Sequence, residues 1–102
     1  MSTDEKMLTV ADVVLDVQNH TVARGKKQLK LNRKEFTLLE YLMRNAGMLL
    51  TRQMILEHVW DTNADPFTNT VEVHIRFLRR KLDEGFKRKL IQTVHGYGYK
   101  FE

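Results

Sequence analysis

Between Thr68 and Leu82 the chain runs TNTVEVHIRFLRRKL, with Val71, Ile75, Leu78 and Leu82 spaced i, i+4, i+7 and i+11. At about 100° per residue these four fall on one stripe, which commits the segment to an α-helix with one face in a core. The opposite face carries Asn69, Thr70, Val73, Arg76, Phe77 and Arg80. Water does not call for Val73 and Phe77, and a core does not tolerate unpaired arginines such as Arg76 and Arg80. A DNA major groove suits the whole mixture. Base edges offer donors and acceptors, thymine offers a methyl group, and phosphates flank the groove. The competing reading is a helix buried on two sides, with Val73 and Phe77 in the core.

The charge distribution bears on that choice. Of the net +4, none arises in residues 1–67, where nine Lys/Arg meet nine Asp/Glu. Residues 68–102 hold eight Lys/Arg against four acids, so the whole surplus sits in the last third. A basic region concentrated on one part of a domain is the footprint of a polyanionic partner, although a solvated basic face has the same composition. The 102 residues suit one domain, and 42% apolar with 29% charged is an ordinary globular composition. Cysteine is absent, which excludes disulfides and thiolate metal sites and fits a reducing compartment. No apolar run approaches a membrane span and no signal peptide opens the chain, so a cytoplasmic protein with no membrane contact is expected. The polar start suggests a linker remnant over residues 1–6, with one domain over 7–102.

The remaining elements follow from period and punctuation. Residues 7–31 contain short β-rich runs, LTVADVVLDV and two more around Gly25, which predict a four-stranded antiparallel sheet. One side of it would carry Leu8, Val10, Val13 or Leu15, and Val22. Asn32 with Glu35 three residues on predicts a capping box, and Phe36, Leu39, Leu42, Met43 and Ala46 form the stripe of a first helix stopped at Gly47. Thr51 is placed to cap a second helix bearing Ile55, Leu56, Val59 and Trp60, and MLLT before it is a short strand or a turn. Asn69 and Glu72 repeat the cap-plus-acid spacing at the third helix. After Gly85, LIQTV and YKF flank the turn HGYG, a hairpin with a projecting tip. Sheet, three helices and hairpin make an α+β winged helix-turn-helix: an N-terminal four-stranded antiparallel sheet, three helices and a C-terminal β-hairpin wing.

These segments carry a family resemblance. LNRKEFTLLEYLMRNAGMLLTRQMILEHVWD, TNTVEVHIRFLRRKL and LIQTVHGYGYKFE, in that order, resemble the C-terminal DNA-binding domain of OmpR/PhoB-class two-component response regulators, from about Leu8 to Phe101. WDTNADPFTNTVEVHIRFLRRKLD is similar to the heavy-metal (copper, silver) responsive group. The resemblance implies sequence-specific binding of double-stranded DNA, with the recognition helix in the major groove and the wing at the minor groove. It implies a receiver domain, phosphorylated on an aspartate, elsewhere in the full-length chain. It also implies tandem direct-repeat sites occupied by head-to-tail pairs of a domain that is monomeric alone. The loop Asp61, Thr62, Asn63, Ala64, Asp65, Pro66 and Phe67 would touch RNA polymerase. Trp60 falls where the family places a tryptophan near the DNA backbone. Thr70, Val73, His74, Arg76 and Arg79 match recognition-helix positions, and Thr93 and Tyr99 match wing positions near the backbone. Asn69 and Phe77 stand where some members have arginines. His95 replaces the usual wing-tip arginine, which implies weaker attraction to a narrow minor groove and a pH-sensitive contact.

Other chemistries find little footing. The histidines His20, His58, His74 and His95 lie on different elements with no metal-ligand spacing, so no metal or cofactor is expected. No nucleophile constellation points to an enzyme. An RNA-binding sheet would expose aromatics that the N-terminal strands lack. The alternative that stays open is a winged helix that docks proteins through Val73 and Phe77, with an incidental basic face.

Overall fold

The computed structural model describes residues 6–60 and 68–102. The chain begins with a meander of four antiparallel strands, β1 (Met7–Val10), β2 (Val13–Asp16), β3 (Thr21–Arg24) and β4 (Lys27–Leu29). Register places Leu8, Leu15, Val22 and Leu29 in one cross-strand row, and Val10, Val13, Arg24 and Lys27 in the next. Alternation along a strand puts both rows on the same face. Val13 and Leu15 are therefore both interior, as is Val22, and Leu8 and Val10 pack against the same core. The link from β2 to β3 is organised by Asp16, whose carboxylate accepts from the backbone N–H of Gln18 and Asn19 and from the Asn19 side chain. Those bonds, the Asn19 side chain foremost, hold its pKa below the usual value.

Helix α1 (Arg33–Arg44) starts with the expected capping box: Asn32 accepts from the Glu35 N–H at 2.8 Å, and Glu35 accepts from the Asn32 N–H at 3.0 Å. Glu35 is buried, and Lys81 from the third helix meets its carboxylate at 2.6 Å. Phe36, Leu39, Leu42 and Met43 are buried as expected. Leu38 is also fully buried, because α1 packs against β1 on one side and the other helices and the C-terminal strands on the other. Truncating any of Leu38, Leu39 or Leu42 to alanine should cost about 2–5 kcal/mol. Two expectations are corrected here. The helix ends at Arg44 with Asn45 as its C-cap, so Ala46 lies beyond it and is exposed. Gly47 is not the stop itself but the turn to the next strand, with φ 86° and its N–H on the Phe101 carbonyl.

Of MLLT, the last two residues are strand. Leu50–Thr51 forms β5, which joins the C-terminal hairpin of β6 (Ile91–Val94) and β7 (Gly98–Phe101) in a sheet ordered β5-β7-β6. Thr51 then caps α2 (Arg52–Val59), accepting from the Met54 N–H at 3.1 Å. Helix α3 (Thr70–Leu82) buries Val71, Ile75, Leu78 and Leu82, the stripe read from the sequence. Its start differs from expectation. Asn69 occupies the N-cap position but makes no side-chain capping bond, and Glu72 bonds Arg52 of α2 at 2.6 Å instead of turning back. Packing between helices overrides the local capping pattern there.

Candidate nucleic-acid interface

Helix α3 lies beside the β6–β7 hairpin, and its unburied surface divides into a crest and two flanks. Arg76, Phe77 and Arg80 form the crest, all exposed, with Phe77 at 39%. The Arg80 guanidinium stands 6.0 Å from the Phe77 ring. Among the described residues neither Arg76 nor Arg80 has a carboxylate partner. Asn69 is exposed and Thr70 half-buried at the N-terminal end of the crest. Val73 is half-buried, so it presents an edge and not its whole side chain. The reading that buried both apolar residues fails for Phe77 and holds in part for Val73. A cylinder of about 10–12 Å with its side chains matches a major groove of about 12 Å.

Each flank is anchored to a neighbouring element. On one, His74 donates from Nδ1 to the Thr70 carbonyl (2.9 Å) and packs T-shaped with Trp60, ring centroids 4.9 Å apart. Trp60 ends α2 and is half-buried. Lys34 reaches over the same ring at 5.6 Å while donating to the Val59 carbonyl at 3.0 Å. On the other flank, Arg79 donates to the Ile91 carbonyl at 3.2 and 3.0 Å and to the Thr93 hydroxyl, and it lies 5.8 Å from the Tyr99 ring. Arg79 thus buttons the helix to β6. Tyr99 is buried, and desolvation, helped by the nearby Glu72 charge, raises its phenol pKa. Glu72 itself feels burial pushing its pKa up, but the hydrogen bond and charge of Arg52 together hold it below the usual value.

Between the crest and the hairpin runs an open groove of about 620 Å³ lined by Arg76, Arg79, Arg80, Gln92, Thr93 and His95 among others. The same wall holds Lys89 and the acids Asp83 and Glu84; four cations against two carboxylates leave it net basic, which suits an anionic, oxygen-rich ligand such as a phosphodiester. His95 and Tyr97 are exposed at the hairpin tip, Tyr97 at 69%. The structure therefore gathers Arg76, Arg79, Arg80, Thr93 and His95 around one groove and places Trp60 with His74 on the opposite flank. The loop Asp61–Phe67 lies outside the described residues. Sequence reading missed Tyr97, Lys34 and Arg52. Tyr97 was signalled by its place inside HGYG, whereas nothing local marks the other two.

Comparison with known proteins agrees with this geometry. Residues 25–101 match the family model described as "Transcriptional regulatory protein, C terminal". The chain is 44% identical over 98 residues to the transcriptional regulatory protein CusR of Escherichia coli K12, covering 96% of this chain and 43% of that protein. It is 44% identical over 96 residues to the response regulator MprA of Mycobacterium sp. strain KMS, covering 94% of this chain and 42% of that protein. The chain thus spans less than half the length of these relatives. Among solved structures, the Klebsiella pneumoniae RstA DNA-binding domain in complex with the RstA box superposes with a TM-score of 0.83 at 28% identity, covering 94% of this chain and 96% of that one. The E. coli CpxR DNA-binding domain gives 0.80 at 30% identity, covering 93% and 94%. With residues 25–101, most of the chain, matching the family model and its winged helix shared with these domains, the chain belongs to the C-terminal domain family of transcriptional regulatory proteins, in the OmpR/PhoB class of response regulators.

Proposed function

We propose that this domain binds double-stranded DNA sequence-specifically, with α3 in the major groove and the β6–β7 wing at the adjacent minor groove. One observation carries the reading: Arg76 and Arg80, without carboxylate partners among the described residues, flank an exposed Phe77 on the crest of a helix that stands beside a projecting hairpin. In this reading Phe77 and the edge of Val73 meet thymine methyl groups, and Arg76 and Arg80 meet phosphates or guanine. Thr70, His74 and Asn69 serve the N-terminal end of the helix, and Trp60 and Thr93 lie toward the backbone. Arg79 and Tyr99 support the wing more than they touch DNA, since their polar or aromatic groups are turned inward. His95 occupies the wing tip. The domain spans residues 7–102 and follows a linker. It acts as a non-enzymatic effector in the cytoplasm, alongside a phosphorylatable receiver domain in a longer protein. It would occupy tandem direct repeats as head-to-tail pairs while being monomeric alone, and residues 61–67 would contact RNA polymerase.

Selection from random duplexes with this domain, repeated across salt, tests the core of it. Four to six phosphate contacts imply a log–log salt slope of roughly −4 to −5. Enrichment of no motif, or binding indifferent to salt, would favour the protein-docking winged helix. Substitutions in Asp61–Phe67 should abolish activation while sparing DNA binding, and loss of both together would count against a separate polymerase surface.

A further inference from the structure

Arg24 is the largest charged side chain in the interior, 1% exposed, and the proposed interface does not use it. It ends β3 on the inner face of the N-terminal sheet, and its partner Asp83 lies at the C-terminal end of α3. Its Nε donates to Asp12 at 3.0 Å, one Nη to the Leu82 carbonyl at 3.0 Å and to Asp83 at 2.8 Å, and the other Nη to the Arg88 carbonyl at 2.6 Å. The Phe86 ring lies 4.1 Å from the guanidinium carbon. Asp83 is buried as well, and its carboxylate accepts the backbone N–H groups of Leu90 at 3.1 Å and Ile91 at 3.2 Å. Lys89 closes the arrangement by donating to the Asp83 and Phe86 carbonyls. The turn from the end of α3 to the start of β6 is thus tied at Leu82, Asp83, Phe86 and Arg88 to one cation from another sheet. That turn is one of the ties between the recognition helix and the wing, beside the Arg79 bonds to Ile91 and Thr93 and the pairing of β7 with β5.

The face of α3 depends less on this, because Val71, Ile75 and Leu78 seat it in the core and only Leu82, its last residue, meets Arg24. The wing has no such stripe at its entry: Leu90 and Ile91 are buried there, but their amides depend on Asp83. An unpaired carboxylate at that depth would be costly, so Asp83 depends in turn on Arg24. A planar fork reaches several acceptors in fixed directions, which a lysine ammonium on the same stem does not reproduce.

We propose that Arg24 is a positioning residue for DNA binding: acting through Asp83, it holds the wing at the separation from α3 at which helix and hairpin engage one duplex together. This rests on the DNA-binding reading above. The test uses Arg24→Lys, which keeps the charge, and Arg24→Met, which keeps only the stem. Each is measured with an intact wing and with a wing tip blunted by His95→Ala and Tyr97→Ala. Binding to the selected duplex is read well below each variant's Tm, together with amide hydrogen exchange. Arg24→Lys should weaken binding about fivefold or more with the wing intact but less than about twofold with the tip blunted. Exchange should accelerate at Leu90 and Ile91 and stay slow at Ile75 and Leu78. Equal losses in both backgrounds, or unchanged protection at Leu90 and Ile91, would overturn the proposal by reducing Arg24 to general stability. If Arg24→Met does not fold, Arg24→Lys and Asp83→Asn decide it by the same two readouts. Failure of the unaltered chain to bind any selected duplex refutes the DNA reading. Tight binding by the unaltered chain with no change in Arg24→Lys refutes only the role of Arg24.

Discussion

Replacing Phe77 with alanine removes the one aromatic group on the crest of α3. Phe77 keeps 39% of its surface open. A phenylalanine side chain presents roughly 200 Å², so roughly 80 Å² is available to a groove. Covering that area is worth about 2 kcal/mol at ~25 cal/mol per Å². The expected loss in Kd is therefore about thirtyfold. Alanine is also the better helix former, which offsets part of any packing lost within the helix. Fluorescence anisotropy with the selected duplex measures the loss, beside a thermal melt that shows the variant folded. Specificity is the sharper readout. If Phe77 meets a thymine methyl, replacing that thymine with uracil should weaken the wild type and leave Phe77→Ala nearly unaffected. A uniform loss across unrelated duplexes, or equal thymine-to-uracil penalties in both proteins, would refute direct readout by this residue.

Arg76→Ala should lower affinity and reduce the salt slope by about one, measured by titration at several salt concentrations, and an unchanged slope would mean that Arg76 meets no phosphate. Gly98→Ala should destabilise the fold by about 3 kcal/mol or more in a denaturant melt. A Cβ there would lie 2.1 Å from the Leu50 carbonyl oxygen with φ at 155°, so β5 and β7 would have to part. For Glu72, whose folded pKa lies below the reference 4.5, the associated stability is present above that reference and is lost as pH falls through the folded value. The gap in Tm between wild type and Glu72→Gln should therefore be open at neutral pH and close in acid, and a gap independent of pH would show that the ion pair with Arg52 contributes nothing.

Local periodicity made most of this protein legible before its structure. Val71, Ile75, Leu78 and Leu82 announced α3 and its buried face, and the Asn32–Glu35 box announced α1, because those interactions span only three or four residues. The strands and the wing turn were legible for the same reason, through alternation and paired glycines. What tertiary packing decided lies elsewhere. Glu72 pairs with Arg52, far off in sequence, and does not turn back to Asn69, whose φ −94° and ψ 28° lie outside the extended conformation of a capping residue. Arg79 and His74, on the two flanks of α3, turned inward because β6 and Trp60 happen to stand there. Arg24 and Asp83, 59 residues apart, became one buried unit that no short-range pattern encodes. A helix declares its own faces, but which neighbour covers each flank depends on the path of the whole chain.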